Sequence, residues 1–148
     1  MKYIFPAAAL ILDRVLKSKA RTGQLPKSPC PSVEFRHIEN DGLAGSTLRA
    51  HPALVKWLPC LALAVNIPAL LHCFKKQRNS AKCGIALLLA GSGSNVYDRL
   101  KTGTVTDMLR FPTAPGKLKT LVFNMADFMI FLGALLTLFA YRSKKESR

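Results

Sequence analysis

GSGSNVYDRLKTGTVTDMLRFPTAPGKLKTLVFNMAD, residues 91–127, gathers the unusual polar chemistry of this chain between two hydrophobic segments. It contains Gly91, Gly93, Asn95, Asp98, Arg99, Gly103, Asp107, Asn124 and Asp127, and it lies between the apolar runs Gly84 to Ala90 and Phe128 to Ala140. Acids are scarce in this protein, with 8 Asp plus Glu against 22 Lys plus Arg. Those in this stretch fall at the ends of the most helix-like apolar segments, where intramembrane polar groups tend to be functional. Asp107 and Asp127 are the candidate carboxylate pair.

Working outward, 148 residues suggest one domain, 1–148, and the 49% hydrophobic content is divided between long apolar runs and polar spacers. A mean hydropathy of only +0.17 hides that segregation. The net charge of +14 is compatible with nucleic acid, anionic lipid or cytoplasmic loops between membrane spans. The charge clusters at Lys75, Lys76, Arg78 and Lys82, and again at Arg142, Lys144, Lys145 and Arg148, each time beside an apolar run. That placement favours membrane topology over a nucleic-acid face. Cys30, Cys60, Cys73 and Cys83 do not form the close pairs of a zinc site and read as small hydrophobes.

Four apolar segments can be helices. Tyr3 to Leu12, continued through Val15, Leu16 and Ala20, makes the first, with Pro6 tolerated near its start. Lys2 ahead of this run also keeps a cleaved export signal in view, although Asp13, Arg14 and Lys17 interrupt the cleavage pattern. Prolines 26, 29 and 31 stop the helix, Ser32 to Asn40 alternates as a short strand, and Asn40, Asp41 and Gly42 make a turn followed by permissive Gly45 and Ser46. Ala53 to Phe74 is the second helix, with Pro59, Asn66 and Pro68 inside it, and Cys83 to about Tyr97 is the third. Lys101 to Lys119 reads as a polar connector, and Thr120 to Tyr141 as the last helix. The fold class expected is mainly α: an integral membrane protein with four transmembrane helices and a small extracytoplasmic extended cradle. Four crossings with both basic clusters inside place both termini in the cytoplasm.

Asn124 and Asp127 are three apart, as are Asn95 and Asp98, so each pair is expected on one helix face. The Gly91 to Ser94 stretch is expected to let backbones approach closely around the shared cavity. Gly103 lets the chain turn back and bring Asp107 to the same opening. Two carboxylates meeting there would share one proton. The ionised one could then deprotonate water while the other hydrogen-bonds a peptide carbonyl, which is general acid-base hydrolysis without metal or acyl-enzyme.

These boxes resemble lipoprotein signal peptidase, or signal peptidase II, a family of four-span bacterial aspartyl peptidases. Its Gly-Asn-x-x-Asp-Arg box is similar to Ser94-Asn95-Val96-Tyr97-Asp98-Arg99, its Gly-x-Val-x-Asp element to Gly103-Thr104-Val105-Thr106-Asp107, and its Phe-Asn-x-Ala-Asp box to Phe123-Asn124-Met125-Ala126-Asp127. Leu12-Asp13-Arg14-Val15-Leu16-Lys17 and Asn40-Asp41-Gly42-Leu43-Ala44 extend the resemblance over nearly the whole chain. The resemblance implies Asp107 and Asp127 as catalytic acids, Asp98 and Arg99 as their supporting pair, Asn40 near the substrate, Asn95 and Asn124 in support, and Asp13 with Lys17 as a structural ion pair. Departures are Ser94 for Gly, Leu43 for Ala, Gly45 for Phe, and Arg14 and Leu16 for Gln and Thr. The implied substrate is a diacylglyceryl-modified prolipoprotein cut immediately before its lipidated Cys near the outer face of the bacterial cytoplasmic membrane. The implied enzyme is a monomer in contact with phospholipid and needs no cofactor.

Other chemistries find little support. His37, His51 and His72 lack metalloprotease spacing, Gly91 to Gly93 lacks the strand and Lys of a nucleotide loop, and Ser92 and Ser94 have no His-based nucleophile system. Asp107 and Asp127 could instead be helix caps or salt-bridge partners. The remaining alternatives are a catalytically silent lipopeptide-binding homologue and, on charge alone, a small nucleic-acid-binding protein.

Overall fold

The computed structural model describes residues 3–43, 47–48, 50–76 and 79–146, and within the helices the side chains of 65–66, 69–70, 72–76, 79–80 and 141–146 lie outside that description. The expectations resting on Ala44, Gly45 and Ser46, on the side chains of Asn66, His72 and Cys73, and on all of both basic clusters except Lys82 therefore fall outside the described residues. Among the described residues the order is α1 (Ile4–Arg21), β1 (Glu34–Asn40), α2 (Pro52–Lys76), α3 (Asn79–Thr102), β2 (Val105–Arg110), a 3-10 turn at Gly116–Thr120, β3 (Val122–Phe123) and α4 (Met125–Glu146). A mainly helical chain with four helices and a small three-stranded sheet is thus what the apolar runs build. No helix among the described residues is long and apolar enough to cross a membrane.

Several segment boundaries differ from the sequence expectation: α3 runs Asn79–Thr102, longer at both ends than Cys83 to Tyr97, and β1 starts at Glu34 rather than Ser32. The connector from Lys101 to Lys119 contains β2, whose first five residues are buried between its neighbours. Alternation of Val105, Asp107 and Leu109 with Thr106, Met108 and Arg110 gives this strand two usable faces despite its polar composition. The last helix begins at Met125 rather than Thr120, because Val122 and Phe123 pair with Arg110 and Leu109 and hold the chain extended.

The sheet order is β1-β2-β3, antiparallel throughout, with Ile38 opposite Asp107 and Asn40 opposite Val105. It packs on the end of α1, where Ala20, Met108 and Leu109 form a buried cluster with Leu16, Phe35, Phe123 and Met125 against it. Helices α3 and α4 approach along a seam of small residues. A Cβ on Gly84 would lie 2.8 Å from the Gly133 carbonyl oxygen, and one on Gly91 would lie 2.6 Å from that of Ala126. Gly84 and Gly91, like Ala126 and Gly133, are two helical turns apart, so each helix offers one smooth stripe to the other. Gly93 is not part of it: a Cβ there meets nothing within 4 Å.

Buried charge and exposed apolar side chains set this bundle apart from a water-soluble one. Asp13, Lys17 and Asp98 are wholly buried, whereas Ile4, Phe5, Ile11, Trp57, Leu61, Phe131 and Phe139 are more than half exposed.

Candidate active site

Asp107 reaches its position through a turn and a strand. The α3 helix ends when the Gly103 N–H bonds the Arg99 carbonyl at 3.0 Å, and Gly103 adopts φ +83°, which costs little only without a Cβ. The chain then enters β2, whose alternation sends Val105 and Asp107 toward a cavity and Thr106 and Met108 toward α1.

Asp127 sits in the first turn of α4, and Asn124 caps that helix instead of sharing its face. The Asn124 N–H donates to Asp127 Oδ2 at 3.0 Å and the Asp127 N–H donates to Asn124 Oδ1 at 3.0 Å. This is a reciprocal capping box with Asp in the third helical position. The cap role weighed for Asp127 is therefore present, and it leaves the Asn124 amide free to act elsewhere. Asn124 Nδ2 donates to Asp107 Oδ1 at 2.7 Å, so one buried residue, through its backbone N–H and its side chain, ties the two acids together.

Asn40 and Asn95 complete the set. Asn40 Nδ2 donates to Asp107 Oδ2 at 2.9 Å while its Oδ1 accepts the Gly42 N–H at 2.9 Å. Asn95 Nδ2 donates to Asp127 Oδ1 at 3.1 Å while its Oδ1 accepts from Lys17 Nζ at 2.9 Å. In each amide a donor occupies the oxygen, which turns the NH2 group toward a carboxylate. Burial pushes the Asp107 carboxyl from 3.8 up to about 6; the bonds from Asn40 and Asn124 act against the rise, and the charge of Asp127 adds to it.

Both acids line a cavity of about 690 Å³ with Asn40, Asn95, Asn124 and Arg99 at its polar end. Its remaining walls include Ile38, Leu43, Val105, Leu121, Val122, Phe123, Ile130 and Phe131. Arg99 is nearly buried and donates from Nη2 to the Gly42 carbonyl at 3.0 Å, which fastens the end of α3 to the turn after β1. Among the described residues no group of His, Cys, Asp and Glu is arranged to hold a metal ion.

Asp98 and Arg99 diverge on α3. Adjacent residues on a helix point about 100° apart, and Asp98 faces α1. There it meets Arg14 at 2.7 Å, Lys17 at 2.8 Å and Arg21 at 3.3 Å. Asp13 and Lys17 form the expected ion pair at 3.2 Å, but they are not remote from the acid boxes. Ser94 Oγ donates to Asp13 Oδ2, and Asp13 Oδ1 accepts the Ala126 N–H at 3.0 Å, so this pair knits α1 to α3 and to the start of α4.

Arg14, Arg21 and Ser94 were missed as members of this cluster. Spacings of three and four residues put Arg14, Lys17 and Arg21 on one face of α1, a signal readable from the sequence. Arg21 also donates from Nε to Thr106 Oγ1 at 2.8 Å, and Thr106 donates to Glu39 Oε1 at 2.9 Å, joining the cluster to the sheet.

Known proteins share this arrangement of helices and sheet. The chain is similar to a lipoprotein signal peptidase of Aeromonas hydrophila, with 32% identity over 148 residues covering 93% of this chain and 86% of the relative. It is 26% identical to a lipoprotein signal peptidase of Dehalococcoides mccartyi over 98% of this chain and 91% of that one. A solved bacterial membrane enzyme superposes with a TM-score of 0.77 at 22% identity, over 99% of this chain and 90% of its own, which speaks to the fold. The sequence profile described as signal peptidase (SPase) II matches residues 5–142, a span that takes in α1, the sheet, both aspartates and most of α4. This chain belongs to the signal peptidase II family.

Proposed function

We propose that this protein is an aspartyl endopeptidase of the bacterial cytoplasmic membrane that removes the signal peptide of diacylglyceryl-modified prolipoproteins, cutting immediately before the lipidated lipobox Cys. The observation that carries the reading is Asn124, whose side-chain amide donates to the Asp107 carboxylate and whose backbone N–H donates to that of Asp127, so that one residue joins two acids from different elements in an apolar-walled cavity. Family membership and the lipoprotein signal peptidases among its relatives support the substrate class.

Asp107 and Asp127 are the catalytic pair. Asp107 holds the shared proton and donates it to the scissile carbonyl oxygen. Asp127 takes a proton from the attacking water. As the tetrahedral intermediate collapses, the C–N bond breaks and the proton on Asp127 passes to the leaving amine, while Asp107 recovers its own from the reforming carbonyl. Asn40, Asn95 and Asn124 hold the carboxylates at fixed angles, and Arg99 contacts the peptide or lipid ester carbonyls from the cavity wall. The apolar walls receive acyl chains that have no favourable place in water.

No helix among the described residues is long and apolar enough to cross by itself, and the four enter the bilayer as a bundle that buries Asp13, Lys17 and Asp98 between α1 and α3, with both termini cytoplasmic and the sheet at the outer face. Exposed Ile11, Trp57, Leu61 and Phe139 on the helices support a lipid-facing surface. The protein acts as a monomer.

The test is cleavage of a diacylglyceryl-modified lipobox peptide by the purified protein in phospholipid nanodiscs, beside the same peptide without lipid. Cleavage before the Cys of only the lipidated peptide is expected. Binding of the lipidated peptide without cleavage, by folded protein, would overturn the peptidase reading in favour of a silent binding homologue.

A further inference from the structure

Of the three amides at the acids, Asn124 and Asn40 have their oxygens held by backbone N–H groups, of Asp127 and Gly42. Asn95 alone among them is oriented by a side chain, Lys17. An ammonium group can donate but not accept, so the Asn95 atom 2.9 Å from Lys17 Nζ is the amide oxygen and the atom 3.1 Å from Asp127 Oδ1 is the nitrogen. The flipped amide would set NH2 against ammonium and oxygen against carboxylate, two repulsive contacts in place of two attractive ones.

Lys17 is itself held from several sides. Its Nζ lies 3.2 Å from Asp13 Oδ2, 2.8 Å from Asp98 Oδ2 and 3.3 Å from Ser94 Oγ, and the side chain is wholly buried. Ser94 spends its one proton on Asp13, so its lone pairs remain for Lys17 and, at 3.5 Å, for Arg14 Nη1. The ammonium therefore has little freedom to leave Asn95.

We propose that Lys17 is a positioning residue for the reaction, locking the Asn95 amide with its NH2 group on Asp127, and that Ser94 keeps Lys17 aimed at that amide. Asp127 Oδ2 accepts the Asn124 N–H and Oδ1 accepts Asn95 Nδ2, so the carboxylate is pinned at both oxygens. Released at Oδ1, it can pivot about its last side-chain bond and lose its alignment with the attacking water. Misplacement by about 1 Å costs on the order of 100-fold in rate. The kinetic part of this inference rests on the peptidase reading, whereas the amide lock does not.

The experiment combines kinetics with Asn-selective 15N labelling of the full chain in nanodiscs, the Asn95 side-chain amide being assigned by its loss in Asn95→Ala. Wild type is expected to show that amide displaced from the free-amide position and slow to exchange with solvent. In Lys17→Met it moves to the free position, and kcat falls about 10- to 100-fold with KM within about twofold. Ser94→Ala, which keeps every charge, shows a smaller shift in the same direction and a kcat loss of about 3- to 10-fold. If Lys17→Met does not fold, Ser94→Ala decides alone. An unmoved Asn95 resonance in either folded variant, or a shift without a fall in kcat, overturns the proposal. A wild-type protein that fails to cleave lipidated peptide overturns the peptidase reading instead, and the resonance still reports whether the lock exists.

Discussion

Two pairs of aspartates lie one relay apart in this protein, and they differ in what donates to them. Asp13 and Asp98 meet cations: Lys17 reaches both, and Arg14 and Arg21 reach Asp98. Asp107 and Asp127 meet neutral amides, from Asn40, Asn95 and Asn124. Cationic donors satisfy a carboxylate and cancel its charge, which makes it a strut between helices. Amides orient a carboxylate without supplying charge, so it stays able to exchange a proton. Burial alone does not separate the two roles, since Asp98 is wholly buried and Asp107 is 3% exposed, although Asp127 is only half-buried.

That contrast breaks if the wrong pair carries the chemistry. Asp107→Asn and Asp127→Asn are each expected to lower cleavage by about 10²- to 10⁴-fold in protein that remains folded. Cleavage above a tenth of wild type in either variant removes the proposed dyad. Asp98→Asn should do the reverse: stranding the charges of Arg14, Lys17 and Arg21 is expected to cost about 3–5 kcal/mol, read from denaturant unfolding in micelles. A loss below about 1 kcal/mol would show that Arg14 and Arg21 simply turn toward solvent.

A pH series sharpens the comparison. The folded protein holds a proton on Asp107 up to about 6, against 3.8 for an unperturbed carboxyl. Between those values the native state binds more protons than the unfolded one, so this group's contribution is full below the lower value and lost as pH rises through the upper. The wild type minus Asp107→Asn difference in unfolding free energy should therefore fall with rising pH over that window, by up to about 3 kcal/mol. A flat difference would mean that Asp107 keeps an ordinary carboxyl.

The smallest effects lie away from both acid pairs. Gly133→Ala forces a Cβ to within 2.6 Å of the Gly84 carbonyl oxygen and is expected to destabilise by about 1–3 kcal/mol. Gly93→Ala meets open space in the interior of α3 and should stabilise by about 0.5–1 kcal/mol with cleavage unchanged. Thermal unfolding of the two variants side by side checks the seam, and equal shifts would remove it.

Much of this was legible before folding. Asp107, Asp127, Asn95 and Asn124 stand in short local boxes, and the helical runs follow from apolar segments of sufficient length. The start of α4 was not legible, because Val122 and Phe123 are extended only through their pairing with β2. Nor was the grouping of Ser94 and Arg14, both departures from the family boxes, which meet across 80 positions of chain.

The sequence by itself determined the four helices, the two catalytic candidates and the family, since these depend on composition and on residues a few positions apart. Only the tertiary structure decided which donors meet which acid. Whether a buried carboxylate is neutralised or merely oriented depends on side chains arriving from other elements, as Lys17 does when it reaches from α1 to Asn95 and Asp98 on α3. Hydrogen bonds act over about 3 Å and carry no periodic trace along the chain, so only the packing of α1 against α3 and α4 settles them.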